Sequence, residues 1–356
     1  MDDYMNDPRF NRIFTLPPDP AKNRTSSFRV KYADYGYRNE VHPHEENVLL
    51  FFGPLMASRL LHISKDAVAK KHKIRIINPD RPGIGGTDAV GVENRMSFWR
   101  EVVMALLESL GIQNVSVYCH SGGTVYALDM LLHHPEILHP EKPYLAIGAP
   151  WILPSHTSAT TMSIIQTLPA SILGDYDKFA KFTNNSTLGF SVNSSVGLVG
   201  KLMPTTHKAS NKVVDREDVA FEENLWPKII DRIHAESVQG FSSDAVLFMQ
   251  KVPGSSGWSS WGDVDVLVPR LGAALSAAGK RLRVDVFYAE RDFMIGKGCS
   301  KGPLWFDHCW LQCNRDVIDY HSKTIAGADH NRIWNLRWGV MDEVFARIGK
   351  PVGEIL

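Results

Sequence analysis

The sequence predicts an α/β protein, a mostly parallel and doubly wound sheet with a mostly helical cap inserted after one strand. Two observations carry that prediction. Short aliphatic runs alternate with stretches of helical periodicity, and strands alternating with helices imply a parallel sheet covered on both faces. Between Ile147 and Val284 the rhythm stops for more than a hundred residues, too long for a structureless loop in a compact domain. With 356 residues and 44% hydrophobic content, the chain has ample material for one large core.

The elements follow in order. Residues 1–27 read as a polar leader with Pro17, Pro18 and Pro20. Phe28 to Tyr35 is strand-like and ends at Gly36, and Asn47 to Phe52 is a second apolar run. Arg59 to Lys70 reads as helix and Lys73 to Asn78 as a short buried strand. Ser97 to Leu110 carries Phe98, Trp99, Val102, Val103, Leu106, Leu107 and Leu110, the spacing of an amphipathic helix. Asn114 to Tyr118, Pro143 to Gly148 and Leu282 to Tyr288 are further strands, and Ser322 to Ala326 is strand-like. Arg332 to Ile348 reads as a closing helix with Trp334, Trp338, Met341, Val344, Phe345 and Ile348 inward. The expected division is a leader (1–27), a core (28–154 and 266–356) and a cap (155–265). Apolar cap segments such as Met162 to Leu168, Ile172-Leu173 and Val196 to Met203 pack partly on the core; the remainder is expected to face a pocket, with cap motion gating access.

Charge narrows the function. Lys plus Arg equals Asp plus Glu at 39 each, so nothing points to nucleic acid or an anionic membrane as partner. The acidic start lacks the basic and apolar regions of a signal peptide, and no run approaches the roughly 18 apolar residues of a membrane span. A cytoplasmic location is the expectation. Cys299, His308, Cys309 and Cys313 lie close in sequence but lack paired C-x-x-C spacing, so reduced thiols are expected rather than a zinc site.

The chemistry concentrates at Cys119-His120-Ser121-Gly122-Gly123, where an apolar strand run meets a helical pattern. A serine on so tight a turn stands clear of the sheet, and small neighbours are needed where the backbone crowds. The Gly122 amide opens the helix and is directed at any oxyanion formed beside Ser121. Cys119 stands where the usual G-x-S-x-G motif has its first glycine.

These residues, with others in the same chain order, resemble the α/β-hydrolase superfamily. Phe51-Phe52-Gly53-Pro54-Leu55-Met56-Ala57-Ser58-Arg59 occupies the place of that family's oxyanion loop. Aligned back from Arg59, Gly53-Pro54 stands at the usual His-Gly, which makes Leu55 the amide donor. One residue of shift would put Pro54 there, with no N–H to give. Asp80-Arg81-Pro82-Gly83-Ile84-Gly85-Gly86-Thr87-Asp88 is similar to the family's D-x-P-G-x-G-x-S turn; it has neither P-loop lysine nor Rossmann spacing, and its expected role is structural. The resemblance implies the order Ser, acid, His. His330 follows Gly327-Ala328-Asp329 and precedes the last helix, as the family's histidine does; Asp292 follows the Leu282 to Tyr288 strand, with Ala289 replacing the usual glycine. Competitors are His120, His156, His308 and His321 for the base, and Asp329, Glu290, Asp175 and Asp177 for the acid.

The resemblance covers about 28–154 and 266–350. The loop G-P-L-x-x-S-R and the long cap are similar to fungal hydrolases, including those of specialised metabolism. It implies a serine hydrolase of esters or thioesters that needs no cofactor, with Ser121, Asp292 and His330 as triad and Leu55 and Gly122 as oxyanion donors. Pocket residues are expected to be His120 and Pro54, with Trp305, Phe306 and Trp310 roofing an apolar acyl site. Small acyl substrates, or a carrier-protein or CoA thioester, are the implied partners. An acyltransferase or cyclase on the same triad, and a non-catalytic binder of hydrolase fold, are the alternatives. Epoxide hydrolase and dehalogenase chemistry need an aspartate at position 121.

Overall fold

The computed structural model describes residues 1–175, 177–178, 215–255, 257–296 and 300–349. Eight strands form one sheet: β1 Arg12–Leu16, β2 Phe28–Gly36, β3 Asn47–Phe52, β4 Ile74–Pro79, β5 Ser116–Ser121, β6 Tyr144–Pro150, β7 Leu282–Arg291 and β8 Ile318–Asp329. Their order is β1-β2-β4-β3-β5-β6-β7-β8. β2 is antiparallel to both β1 and β4, and every pair from β4 to β8 is parallel. Strands β3 to β6 are almost wholly buried, which is why they show no alternation of apolar and polar residues; their few polar members, such as Arg75 and His120, are buried too.

The helices are α1 Asp2–Met5, α2 Asp66–Lys71, α3 Arg95–Ser109, α4 Gly123–His133, α5 Thr160–Thr167, α6 Ala170–Leu173, α7 Arg216–Ala235, α8 Gln239–Phe248, α9 Val264–Ala277, α10 Pro303–Leu311 and α11 Val340–Gly349. On α3, Trp99, Val102, Val103, Leu106 and Leu107 are buried, the face that the spacing predicts. The chain leaves the sheet at Pro150 and rejoins it at Leu282, and α5 to α8 lie in that interval. The expected apolar segment Val196 to Met203 lies outside the described residues, as does Cys299. None of the described helices is long and apolar enough to cross a membrane.

Three elements differ from the sequence expectation. Residues 12–16, inside the segment read as a leader, form edge strand β1 on β2, and Phe10 beside it is fully buried. A short run holding Arg12 and Thr15 has little apolar signal of its own; pairing with β2 makes it a strand. The helix expected from Arg59 starts only at Asp66, because buried Arg59 is tied to Asp80 at 2.6 Å and Glu236 at 2.8 Å, and the chain turns to reach them. The closing helix begins at Val340 rather than Arg332. The Leu336 amide donates to Glu222 Oε2 at 2.7 Å, and Gly339 adopts a left-handed conformation that ends the preceding turn.

Candidate active site

β3 and β5 are neighbours, while the chain after β3 goes to β4 on one side and the chain after β5 to β6 on the other. Such a reversal of strand order opens a crevice at the carboxyl ends of the strands. Ser121 closes β5 at that end, with φ of +50°, a left-handed conformation that costs a non-glycine residue energy. Opposite it, the β5–β6 register slips: His120 faces Gly148 but Ser121 faces Pro150, and Ala149 is also left-handed with φ of +44°.

Close approach explains the small residues around the serine. A Cβ on Gly123 would lie 2.7 Å from the Gly53 carbonyl oxygen and closer to that of Phe52, so the loop after β3 abuts the start of α4. On Gly122 a Cβ would meet the Phe248 ring, and on Gly148 it would lie 2.6 Å from Trp334 Cζ2. Cys119 is wholly buried in the strand, so this position needs a small core side chain rather than glycine's freedom.

His330 Nε2 lies 2.9 Å from Ser121 Oγ, and its Nδ1 lies 2.8 Å from Asp292 Oδ2. A carboxylate only accepts, so Nδ1 carries the proton and Nε2 presents its lone pair to the serine hydroxyl. Asp292 Oδ1 accepts from the Met294 and Ile295 amides at 2.9 Å each. Burial pushes the Asp292 pKa up, but the facing His330 and these hydrogen bonds outweigh it and hold the carboxyl below its ordinary range. The Phe293 ring stands edge-on to His330 at 5.5 Å.

The competing residues are engaged elsewhere. Asp329 caps the turn after it through the Asn331 and Arg332 amides, and Glu290 accepts from the Gly327 amide. Asp175 pairs with Lys178 on the surface, and Asp177 is exposed. His156 bonds Asp263, His308 bonds Gln312 and His321 bonds Asp319.

The expected pocket residues take different places. His120, expected from the sequence both at the pocket and with its ring packed or hydrogen-bonded away from the serine, does the latter: its buried ring turns behind the site and donates from Nε2 to the His330 carbonyl at 2.7 Å. Burial holds its pKa down to about 3, so the ring is neutral. Trp310 is buried and stacks on Tyr320 at 5.6 Å; Tyr320 pairs with Val284 near the start of β7. Tyr320 also shares a register row with Val117, four residues before Ser121 in β5 and about 13 Å back at 3.3 Å per residue, so the stacked Trp310 ring is a core contact behind the level of the elbow. Phe306, fully buried one helical turn away with its ring 6.1 Å from Trp310, belongs to the same packing layer. Trp305 stacks flat on His156 at 3.9 Å, where the chain leaves β6 for the insertion. Leu55 is buried and Pro54 half-buried in the loop after β3.

Sequence reasoning missed what holds that loop and the insertion. Arg81 and Arg95 are both buried and share one buried carboxylate, Asp244 of α8, at 2.7 and 2.6 Å. Burial pushes the Asp244 pKa up, but the two guanidinium groups outweigh it and keep the carboxyl ionised below its ordinary range. Tyr126 of α4 donates to the same carboxylate at 2.8 Å. Glu222 of α7 binds the buried Lys65 at 2.6 Å, and Glu236 binds Arg59. These buried ion pairs tie α7 and α8 to the core, and deleting one partner of any of them would leave the other charge buried and unpaired, at a cost of several kcal/mol. The only sequence signal was Arg81 itself, inside a loop read as a turn.

No family model matches the sequence, and no curated protein matches it. Solved structures do match. An esterase from Exiguobacterium antarcticum is 12% identical over 94% of this chain and 99% of its own, with a TM-score of 0.56. A bromoperoxidase from Bacillus anthracis is 14% identical over 94% and 99%, with 0.55. The epoxide hydrolase VrEH1 from Vigna radiata is 12% identical over 95% and 96%, with 0.52. At such identities the likeness is one of fold. By its sheet order, its strand-to-helix elbow and these neighbours, the chain has the α/β-hydrolase fold.

Proposed function

We propose that the chain is a serine hydrolase of esters or thioesters, with Ser121 as nucleophile, His330 as general base and Asp292 as the acid that orients it. The supporting observation is one unbroken line of hydrogen bonds, Asp292 to His330 to Ser121, ending on a strained elbow at the sheet's switch point. Esterases are among the solved structures of the same fold, which supports the reading.

The chemistry follows from the atoms. Ser121 Oγ attacks the acyl carbon as its proton passes to His330 Nε2, and the carbonyl electrons move onto oxygen. Asp292 stabilises the resulting imidazolium through Nδ1. The Gly122 amide and the amide of the loop after β3 accommodate the oxyanion. As the tetrahedral adduct collapses, His330 returns the proton to the departing alcohol or thiol. Water, deprotonated at the same nitrogen, then attacks the acyl carbon; the bond to Ser121 Oγ breaks, His330 returns the proton to that oxygen, and the acid leaves. In this reading the acyl group is lipophilic and is received on the side of Ser121 that the insertion faces.

A fluorophosphonate probe tests the nucleophile. Wild-type protein should be labelled, and Ser121→Ala should not be, with turnover down roughly 10³-fold or more. Undiminished labelling of the variant removes Ser121 from the mechanism. Ester turnover with added alcohols separates hydrolysis from acyl transfer, since a transferase yields the new ester.

A further inference from the structure

The geometry points to Arg81 as a positioning residue that aims the oxyanion-binding amide of the loop after β3; this rests on the hydrolase reading above. Three consecutive carbonyls converge on its guanidinium. Nη1 donates to Gly53 O at 2.7 Å, and Nη2 donates to Pro54 O at 2.7 Å and to Leu55 O at 3.4 Å. The described chain contains no cis peptide. In a trans peptide the C=O and the following N–H point in opposite directions. A Pro54 carbonyl aimed at Arg81 therefore turns the Leu55 N–H away from Arg81, and the Leu55 carbonyl does the same for Met56. Gly123, against the Phe52 and Gly53 carbonyls, keeps this loop beside the elbow. Proline at 54 has no N–H, so of the three peptides whose carbonyls Arg81 holds only those of Leu55 and Met56 turn an amide that way. The 2.7 Å bond to Pro54 O fixes the Leu55 amide more tightly than the 3.4 Å bond to Leu55 O fixes that of Met56.

Arg81 is itself held from the other side. Its Nε donates to Asp244 Oδ2 at 2.7 Å, while Arg95 and Tyr126 occupy Oδ1. Its guanidinium also lies over the Tyr126 ring at 5.4 Å, and Tyr126 belongs to the helix that starts at the elbow. Loop, nucleophile helix and α8 thus meet on one planar cation. Two guanidinium groups share one carboxylate, which leaves a positive charge on the carbonyl side of the Pro54–Leu55 peptide. A carbonyl bonded to a cation polarises its peptide and strengthens the N–H at the far end as a donor. Arg81 acts through that peptide and need not touch substrate.

The test compares neutral and anionic ligands. A boronic acid that adds to Ser121 becomes a tetrahedral anion in the oxyanion position, whereas ester KM reports neutral ground-state binding. Arg81→Gln can reach one carbonyl and carries no charge. It should lower kcat/KM roughly 10²-fold and weaken the boronate by a similar factor, with KM within about threefold of wild type. Arg81→Lys should fall between, lacking the planar fork. Added guanidinium should restore turnover to Arg81→Ala and not to Ser121→Ala. Should Arg81→Gln not fold, Arg81→Lys carries the test, because it keeps a buried positive charge paired with Asp244 and lacks only the planar fork; the same boronate-selective loss, smaller in size, is expected. Variants that keep wild-type kcat and boronate affinity overturn the assignment, as does a loss of KM and boronate affinity together. Wild-type protein that reacts with neither fluorophosphonate nor boronate would overturn the hydrolase reading, and this assignment with it.

Discussion

Gly122→Ala tests how tightly the insertion is seated on the elbow. Gly122 has φ of −52°, which alanine adopts freely, so any penalty comes from the new methyl group and not from the backbone. That Cβ would lie 2.7 Å from Phe248 Cζ and 2.9 Å from Cδ2, and nearer still to Cε2. Carbon atoms rest at about 3.5 Å or more, so the ring must retreat by roughly 0.8 Å at Cζ and further at Cε2. It has nowhere to go. Phe248 is fully buried, flanked by Tyr126 at 5.8 Å and Trp151 at 5.3 Å, and its carbonyl accepts from Trp151 Nε1 at 3.1 Å. Overpacking of this kind costs about 1–3 kcal/mol, and a wedge between a helix start and an immobile ring belongs at the upper end. Phe248→Ala alone should cost about 3–5 kcal/mol through the cavity it leaves. In that background Gly122→Ala should be nearly free, a coupling of about 2–3 kcal/mol. Urea unfolding followed by the fluorescence of the nine tryptophans measures all four proteins, provided the m-values agree. Equal cost of Gly122→Ala in both backgrounds would refute the steric argument and the seating of Phe248 on the elbow.

Other outcomes can be checked alongside. His330→Ala should resemble the serine knockout, and Asp292→Asn should lower kcat on the order of 10⁴-fold with folding retained, because the amide favours the wrong imidazole tautomer. Circular dichroism with ester kinetics reads both, and a crippling Asp175→Asn or Asp177→Asn would move the acid elsewhere. Burial holds His120 neutral to about pH 3 and lowers the pKa of His62 well below the ordinary imidazole value. A depressed imidazole stabilises the fold fully above the unfolded value near 6.5, and that stability is lost as pH falls below it, at about 1.4 kcal/mol per pH unit for each proton. His120→Asn should flatten the stability–pH slope between pH 6 and pH 4 by about one such increment; an unchanged slope contradicts the buried neutral ring. For substrates, kcat/KM should rise from acetyl to octanoyl p-nitrophenyl esters by up to about 0.8 kcal/mol per buried methylene. A flat or falling series rules out an apolar acyl pocket.

Local patterns carried much of this molecule. Mostly apolar runs mark β3, β4, β5 and β6, since a strand buried on both faces tolerates a polar residue only where it finds a partner, as Arg75 of β4 finds Asp34. The periodicity of Trp99, Val102, Val103, Leu106 and Leu107 determines α3, and the small residues after Ser121 determine a tight strand-to-helix turn. These are contests between neighbours in the chain, and sequence records them directly. Tertiary structure decided whatever depends on a distant partner. β1 exists because β2 offers it a free edge. His120 turns from the pocket because the His330 carbonyl, 210 residues away, accepts its proton. Trp310 is buried against β8 because Tyr320 supplies its stacking face there. Arg81 reads as one residue of a turn until Asp244, 163 residues later, folds against it and both charges must leave water together. Burial of a charge demands a partner whose position only the folded chain can set.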